Sequence, residues 1–234
     1  MKPHSRVIIF SGVNFLTIPV PIISRQAFLA FQKAIIENGL EFIRTETPKD
    51  SIVLTRESPY PLQVTVNMLQ GQVGQLLILT PQPKASQEMF TQEAEAAIRA
   101  FEEVWPAPNR QIIKADATIR NLYETTSAHA FQELWENRLG QPPKSLAAFG
   151  RPIRGGGLRF VMDPVPEDMP VSIEVKIESF LSDTSKIFVE TQFIWPMQTN
   201  PGAPFNVRER LSQMDSYIEK QIYAFLTGET KDER

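Results

Sequence analysis

The sequence predicts an α+β protein in which helices cover one face of an antiparallel sheet. Short segments alternate apolar and polar residues, which is typical of strands with one buried and one wet face. Two longer segments repeat apolar residues at three- and four-residue steps, as amphipathic helices do. The same succession of elements also occurs twice along the 234 residues. The clearest alternation is that of Val171, Ile173, Val175 and Ile177 with Ser172, Glu174, Lys176 and Glu178.

The first half begins with a strand and ends with a long helix. A strand is predicted at residues 6–13, after which two prolines break the chain. Ser24 then caps a helix that runs to Asn38, where Gly39 stops it. Further strands are predicted at residues 42–47, 52–56, 62–69 and 73–80, and the closing helix at residues 86–105.

The second half repeats this order of elements. The triplet Ala30-Phe31-Gln32 recurs as Ala130-Phe131-Gln132 on the first helix of each half, and the proline-rich residues 106–109 form the joint. We therefore expect a first α+β repeat at residues 1–105, a second at 106–226 and a flexible tail at 227–234, with both repeats in one domain. Strands are predicted at residues 111–122, 158–163, 171–180 and 186–195, and helices at 127–139 and 207–226.

The two repeats are expected to join in one continuous curved sheet with pseudo-twofold symmetry, backed by four helices. This order resembles, in architecture alone, the duplicated saddle of the TATA-box-binding protein family, whose concave face holds DNA. The exposed positions predicted here carry Glu174, Glu178 and Glu190, with only Lys176 as a cation on the same strands. Such a distribution repels phosphate, so we expect no nucleic-acid partner.

Composition removes several classes of site. The chain has no Cys and only two His, His4 and His129, which leaves no disulfide, no thiolate metal site and little imidazole chemistry. Its 24 Lys and Arg and 27 Asp and Glu are well mixed, without the basic block that binds nucleic acid or anionic membranes by charge. The apolar stretch at residues 7–23 contains an Asn and two Pro and is short for a membrane helix, which needs about 20 residues. These features favour a cytoplasmic protein without a membrane partner.

The most distinctive segment combines arginines with three consecutive glycines. The backbone N–H groups of a glycine run can converge on one point, and guanidinium groups donate hydrogen bonds in pairs, so the segment is a candidate anion site. It matches neither the phosphate-loop nor the dinucleotide-binding spacing, and it precedes a strand where those motifs precede a helix. A flexible entry to that strand is the alternative interpretation. The candidate ligand-binding residues are Arg151, Arg154, Gly155, Gly156, Gly157 and Arg159.

Metal and acid–base sites have weaker support. His129 has only Glu133 as an oxygen partner at helical spacing, which is a common surface pair. Asp163, Glu167 and Asp168 surround two prolines, but they do not match the calcium-loop template, and turn chemistry explains them. Carboxylates on neighbouring strands could form an acid–base pair, although alternating Glu and Lys is ordinary on a wet sheet face. We expect no metal and no cofactor.

The strand at residues 186–195 is expected to carry apolar side chains on both faces. Strict alternation places Phe188 and Ile194 on its polar face. A cover for these side chains is therefore expected. The loop at residues 198–204, a second copy of the chain or a ligand could supply it.

Two functions remain open at this point. The first is a non-catalytic interaction or scaffold protein that binds a protein partner, or itself as a homodimer, through its curved sheet face or rim loops. The alternative is a binder, or an enzyme, for a small anionic ligand held by the Arg/Gly segment at residues 151–159. A deep cleft with converging arginines would favour the second function, and a flat or self-complementary sheet face would favour the first.

Overall fold

The computed structural model describes residues 2, 5–70, 72–81, 86–166, 170–198 and 200–228. Within these residues the chain is an α+β protein with one nine-stranded antiparallel sheet and five α-helices. The strands are β1 (Val7–Ile18), β2 (Arg44–Glu46), β3 (Ser51–Arg56), β4 (Leu62–Leu69), β5 (Val73–Thr80), β6 (Gln111–Glu124), β7 (Gly157–Met162), β8 (Ser172–Ser179) and β9 (Lys186–Trp195). The helices are α1 (Arg25–Glu37), α2 (Gln87–Val104), α3 (Ala130–Gln132), α4 (Val207–Tyr217) and α5 (Tyr223–Thr227).

The strands lie in the order β2-β3-β4-β5-β1-β6-β9-β8-β7, and each neighbouring pair is antiparallel. The central pair is β1 and β6, whose register places Asn14 opposite Asp116. The strands of the first half therefore lie on one side of this pair and those of the second half on the other. The sheet is open and not curled, and β2 and β7 form its two edges.

The helices of the first half begin at their predicted caps. The side chain of Ser24 accepts a hydrogen bond from the N–H of Ala27 at the start of α1, and Gly39 follows its end with a left-handed φ of 82°. Ser86 accepts a hydrogen bond from the N–H of Met89 at the start of α2. A polar cap followed by an apolar stripe is a local signal, so the predicted bounds of these helices are close to the observed ones.

The first helix of the second half departs from its prediction. The prediction that this helix starts at Ser127 is wrong. Helix α3 begins at Ala130 and continues as a π-helical segment at Glu133–Arg138. The cause is the buried carboxylate of Glu133, which accepts hydrogen bonds from the N–H groups of Thr126 and Ser127 at 2.9 and 3.0 Å. These bonds hold the residues before α3 in a turn.

Three further elements differ from their predictions in length, in continuity or in being unpredicted. Strand β1 runs to Ile18, beyond the predicted end at residue 13, because β5 and β6 pair with it on both sides. A 3-10 helix at Pro143–Phe149 was not predicted. The helix predicted at residues 207–226 is present as α4 and α5, which a π-helical turn at Ile218–Ile222 joins.

The core lies between the helices and one face of the sheet. Side chains of α2 and α4 such as Phe90, Phe101, Leu211 and Met214 are buried in the same cluster as the inward residues of the strands. Alternate residues of β9 are buried along its whole length, as its sequence predicts. No helix in the described ranges has both the length and the apolar character of a membrane span.

Candidate functional site

The outer edge of β7 has no strand pairing in the described part of the chain. This six-residue strand pairs with β8 on one side only, and Phe160 and Val161 are 39% and 68% exposed. The opposite edge, β2, has three residues, and its ends carry an ion pair between Arg44 and Glu46. Short length and charge keep an edge strand from pairing with other chains. Among the described residues the sheet therefore has a short, charged edge, β2, and a longer edge, β7, that exposes Phe160 and Val161 beside a single charged residue.

An apolar groove runs between β7 and the C-terminal helices. It has a volume of about 480 Å³. The rings of Phe160 and Phe225 meet edge to face at 5.6 Å between centroids, and the hydroxyl of Tyr217 donates to the sulfur of Met162 at 3.3 Å. The sequence gives one sign of this site, because Val161 occupies a position where alternation calls for a polar residue. The groove is lined by Arg159, Phe160, Val161, Met162, Val175, Ile177, Tyr217, Gln221, Ile222 and Phe225.

The glycine run of the predicted anion site lies against β8. The N–H of Gly156 donates to the Ser179 hydroxyl at 3.0 Å, and its carbonyl oxygen accepts from the Ser179 N–H at 3.0 Å. Gly157 is the first residue of β7, where a Cβ atom would overlap the carbonyl oxygen of Ile177. A Cβ at Gly156 would lie 2.6 Å from the ring of Phe131. Close packing against the backbone therefore requires Gly157, whereas at Gly156 only the ring of Phe131 would have to shift, and the N–H of Gly156 already has an acceptor.

The three arginines of the same segment point to different places. Arg159 lies on the open face of the sheet, bound to Glu174 at 2.8 Å, and borders the β7 groove. Arg151 borders a separate groove of about 380 Å³ beside His129 and the stacked rings of Phe131 and Trp135. No ion pair involves Arg154 among the described residues, and it lines neither groove. The structure thus does not bring the predicted anion-binding residues together around one cavity.

The open face of the sheet, which the helices leave uncovered, carries a ladder of alternating charges. Arg120 donates to Glu190 at 2.6 Å, and Lys176 donates to the other oxygen of Glu190 at 2.7 Å. Lys176 also lies 3.7 Å from Glu174, which Arg159 binds in turn. Burial alone would raise the pKa of Glu190, but these two cations lower it. Lys176 is the only lysine or arginine facing the glutamates from their own strands, as the sequence indicates, and the neighbouring strands add Arg120 and Arg159 to the same face.

A second network on this face joins amide side chains across the centre of the sheet. Asn67 donates to Gln75 at 2.7 Å, Gln75 to Asn14 at 2.8 Å, and Asn14 to Asp116 at 2.9 Å. Ser51 and Gln192 extend the network at its two ends. Sequence reasoning missed it because it depends on which strands are neighbours. Phe188 and Ile194 are half-buried on the same face, and the prediction that something covers them stays open.

The candidate acid–base residues Glu174 and Glu190 share Lys176 as a partner, whereas the candidate metal ligands form no cluster among the described residues. The Nδ1 atom of His129 accepts a hydrogen bond from the N–H of Phe131 at 3.0 Å. The carboxylate of Glu133 instead accepts a hydrogen bond from the N–H of Thr126. Among the described residues no group of three or more His, Asp or Glu side chains could hold a metal ion. His4, Glu167 and Asp168 lie outside the described residues.

Comparison with known proteins adds little to this geometry. No protein-family model matches the sequence, and no curated protein matches it. A solved structure with some similarity is the di-domain ARO/CYC BexL from the BE-7585A biosynthetic pathway, at 10% identity over 93% of this chain and 96% of that chain. The TM-score of 0.23 is too low for an argument about fold or function.

Proposed function

We propose that this chain is a non-catalytic interaction protein whose binding element is the free edge of β7, and that the occupant of this edge is a second copy of the chain. The difference between the two sheet edges carries the proposal. Natural proteins shorten, charge or cover exposed edge strands, and β2 is both short and charged. Strand β7 is twice as long as β2 and carries one charged residue, Arg159, beside the exposed Phe160 and Val161, which suits an edge that is paired in the working assembly.

The difference between the two sheet edges also favours a closed dimer over an open filament. If both edges were open, β7 of one copy could join β2 of the next and build a filament. With β2 blocked, the pairing of β7 with β7 about a twofold axis leaves neither copy with another free apolar edge among its described strands. Antiparallel pairing of identical strands is compatible with such an axis, and closed twofold dimers are the commonest oligomers of soluble chains.

Charge and shape also suit a second copy. The only charged residue in β7 is Arg159, and Glu174 already binds it, so pairing buries no uncompensated charge. A strand added beside β7 would direct alternate side chains towards Phe160 and Phe225, which border the apolar groove. The proposal includes no nucleic-acid or membrane partner, and the absence of Cys fits a cytoplasmic location.

The test is the oligomeric state across a concentration series. We expect light scattering after size exclusion to give a dimer mass for the wild type and a monomer mass for Val161→Lys and for Phe160→Lys, because Lys at an edge opposes strand pairing. The matched control is Ile43→Lys beside β2, where a side chain that is 79% exposed also gains a charge. A wild type that stays monomeric, or a dimer that only Ile43→Lys dissociates, would overturn the proposal. Unchanged thermal unfolding would show that each variant is folded.

We further propose that the chain is a tandem duplication with units at residues 1–105 and 106–226, arranged as two halves of a saddle. Support comes from the strand order, in which β1 and β6 are neighbours and each is followed by strands on its own side. The helices α2 and α4 occupy matching positions late in each unit. Separate expression of the two units would test the domain organisation, since each should be unfolded alone if they share one core. The tail proposed at residues 227–234 lies mostly outside the described residues.

The alternative function, binding of a small anion by the Arg/Gly segment, retains one supporting observation. Arg151 and His129 border the groove beside the stacked rings of Phe131 and Trp135, where the carboxylate of an aromatic anion would meet donors and its ring would stack on an aromatic side chain. A thermal-shift titration with phosphate and with benzoate tests it. A shift for benzoate that Arg151→Gln removes would support the alternative, and no shift for either anion would count against it.

A further inference from the structure

The backbone of β7 offers hydrogen bonds to a new neighbour at alternate residues. The N–H of Ser179 in β8 donates to the carbonyl oxygen of Gly156 at 3.0 Å, and the register of the two strands places these residues opposite each other. Bonded positions alternate along an antiparallel pair, so the even-numbered residues of β7 turn their backbone groups to β8. The odd-numbered residues Gly157, Arg159 and Val161 turn theirs to the outer edge. A strand that adds to β7 would therefore bond to these residues.

An acidic residue without an ion pair follows the strand directly. Asp163 comes after Met162, the last residue of β7. It is exposed and binds no cation among the described residues. Pro164 comes next, and the residue before a proline is held in extended backbone. Asp163 therefore continues the alternation of β7, which places it on the open face of the sheet with Arg159.

Arg159 has donors left for a second carboxylate. Its Nε and Nη2 groups bind the two oxygens of Glu174, each at 2.8 Å. A guanidinium has five N–H donors, of which Glu174 uses two. The side chain of Arg159 is 64% exposed, so the remaining donors can be reached. A cation with free donors and an anion four residues later form a charge pattern that is complementary to itself when the strand meets an antiparallel copy.

Twofold symmetry restricts how two β7 strands can pair. Antiparallel pairing within one sheet requires an axis normal to the sheet, which keeps the helices of both copies on the same face. Residues directly opposite each other then share a face, so the axis passes between two copies of one residue. An axis at Arg159 would set two guanidinium groups opposite each other, and like charges there are destabilising. An axis at Phe160 would set Arg159 opposite Val161, and neither charge would gain a partner.

Val161 is the midpoint between Arg159 and Asp163. We propose that the twofold axis of the dimer passes between the two copies of Val161, so that Arg159 of each copy binds Asp163 of the other and Phe160 lies opposite Met162. This inference rests on the proposed function, the self-pairing of β7, and adds to it the register and the residue that selects the register, Asp163. The pairing joins the two nine-stranded sheets into one, with an ion pair on each side of the axis.

Disulfide cross-linking measures the register directly, because the chain contains no Cys. The variants Arg159→Cys, Phe160→Cys and Val161→Cys each carry a single thiol and are oxidised with diamide. Opposite Cα atoms of a hydrogen-bonded antiparallel pair lie about 5.5 Å apart, within disulfide range, whereas diagonal neighbours already lie about 7–8 Å apart. On non-reducing gels we expect Val161→Cys to form the covalent dimer about tenfold faster than the other two variants.

A charge reversal tests the ion pair. Asp163→Lys should raise the dissociation constant of the dimer about tenfold at low salt, because the new Lys faces Arg159 of the other copy. In an Arg159→Gln background the same change should have an effect of about threefold or less. The matched control is Glu57→Lys, which makes the same charge change at an exposed residue after β3 and should leave the dissociation constant unchanged.

The outcomes distinguish the register from the dimer itself. A dimer that cross-links fastest through Arg159→Cys or Phe160→Cys, or that keeps its dissociation constant in Asp163→Lys, would overturn the register and leave the self-pairing of β7 in place. A dimer that cross-links at none of the three positions, or a wild type that is monomeric in light scattering, would overturn both.

Discussion

The carboxylate of Glu93 on α2 lies 2.8 Å from the guanidinium of Arg56 at the end of β3, and the two side chains are 17% and 7% exposed. The same carboxylate accepts a hydrogen bond from the hydroxyl of Tyr60. The centre of the Tyr60 ring lies 4.7 Å from the guanidinium carbon of Arg56. Burial and the bond to Glu93 raise the pKa of Tyr60. This cluster joins the loop after β3 to the helix that covers the first half of the sheet.

Removing the charge of Glu93 should destabilise the fold strongly. Glu93→Gln leaves the buried Arg56 without a counter-ion, and breaking such a pair costs about 3 kcal/mol in the free energy of unfolding. Urea denaturation at pH 7 measures this loss. The control Glu103→Gln, on the exposed side of the same helix, should change the free energy by less than about 0.5 kcal/mol. Equal losses in the two variants would mean that the ion pair does not contribute to stability.

The buried Glu133 should make the fold sensitive to acid. Its side chain is 1% exposed, and burial alone would raise its pKa. Hydrogen bonds to the carboxylate, which include those from Thr126 and Ser127, outweigh burial and lower the pKa from 4.5 to about 2. The carboxylate of Glu133 therefore binds a proton more tightly in the unfolded chain than in the folded chain. The stabilisation is complete above about pH 4.5 and is lost as the pH falls towards 2, by an amount on the order of 3 kcal/mol.

The variant Glu133→Gln distinguishes the contribution of Glu133 to the pH dependence of stability from that of the other carboxylates. The variant should be less stable than the wild type at pH 7, and the difference between the two free energies of unfolding should shrink between pH 5 and pH 3. Denaturant titrations at several pH values measure it. Parallel pH profiles for the two proteins would contradict the assignment.

Gly157 is expected to be required for stability because of packing. A Cβ at this position would overlap the backbone of Ile177 in β8, and a backbone atom cannot move aside as a flexible side chain can. Gly157→Ala should therefore reduce the free energy of unfolding by about 2–3 kcal/mol. Gly150→Asn is the control, because the left-handed φ of 64° at Gly150 suits Asn and no atom lies near its Cβ position. A stable Gly157→Ala would show that the edge strand can shift outward.

The sequence predicted elements well where the signal is local. Strands β4, β5 and β9 have their predicted bounds, because alternation ends at turn residues on each side. The late start of α3 was missed because it depends on the buried carboxylate of Glu133, seven residues after Thr126. The charge ladder and the amide network depend on strand order and long-range contacts, which one sequence does not encode locally. The glycine run was a distinct signal, but packing against Ser179 explains it as well as a ligand would.

The amide network across the centre of the sheet gives an isosteric test of strand register. Asn14 donates from Nδ2 to Asp116 at 2.9 Å, whereas Asn67 contacts only Ser51 and Gln75 in the network. Asn14→Asp places two carboxylates side by side on neighbouring strands and removes the donor, so we expect a loss of about 2 kcal/mol at pH 7. Asn67→Asp makes the same change among neutral neighbours and should lose about half as much.

The pH dependence distinguishes repulsion from simple loss of a hydrogen bond. In Asn14→Asp the adjacent carboxylates raise the pKa of one of them in the folded state, so the folded chain binds a proton more tightly than the unfolded chain. The destabilisation is therefore present above that raised pKa and disappears as the pH falls to the unfolded value of about 4. Denaturant titrations at pH 7 and pH 4 should show the excess loss of Asn14→Asp over Asn67→Asp only at pH 7. An excess that is equal at both pH values would mean that residue 14 does not face Asp116, and the register of β1 on β6 would have to be reassigned.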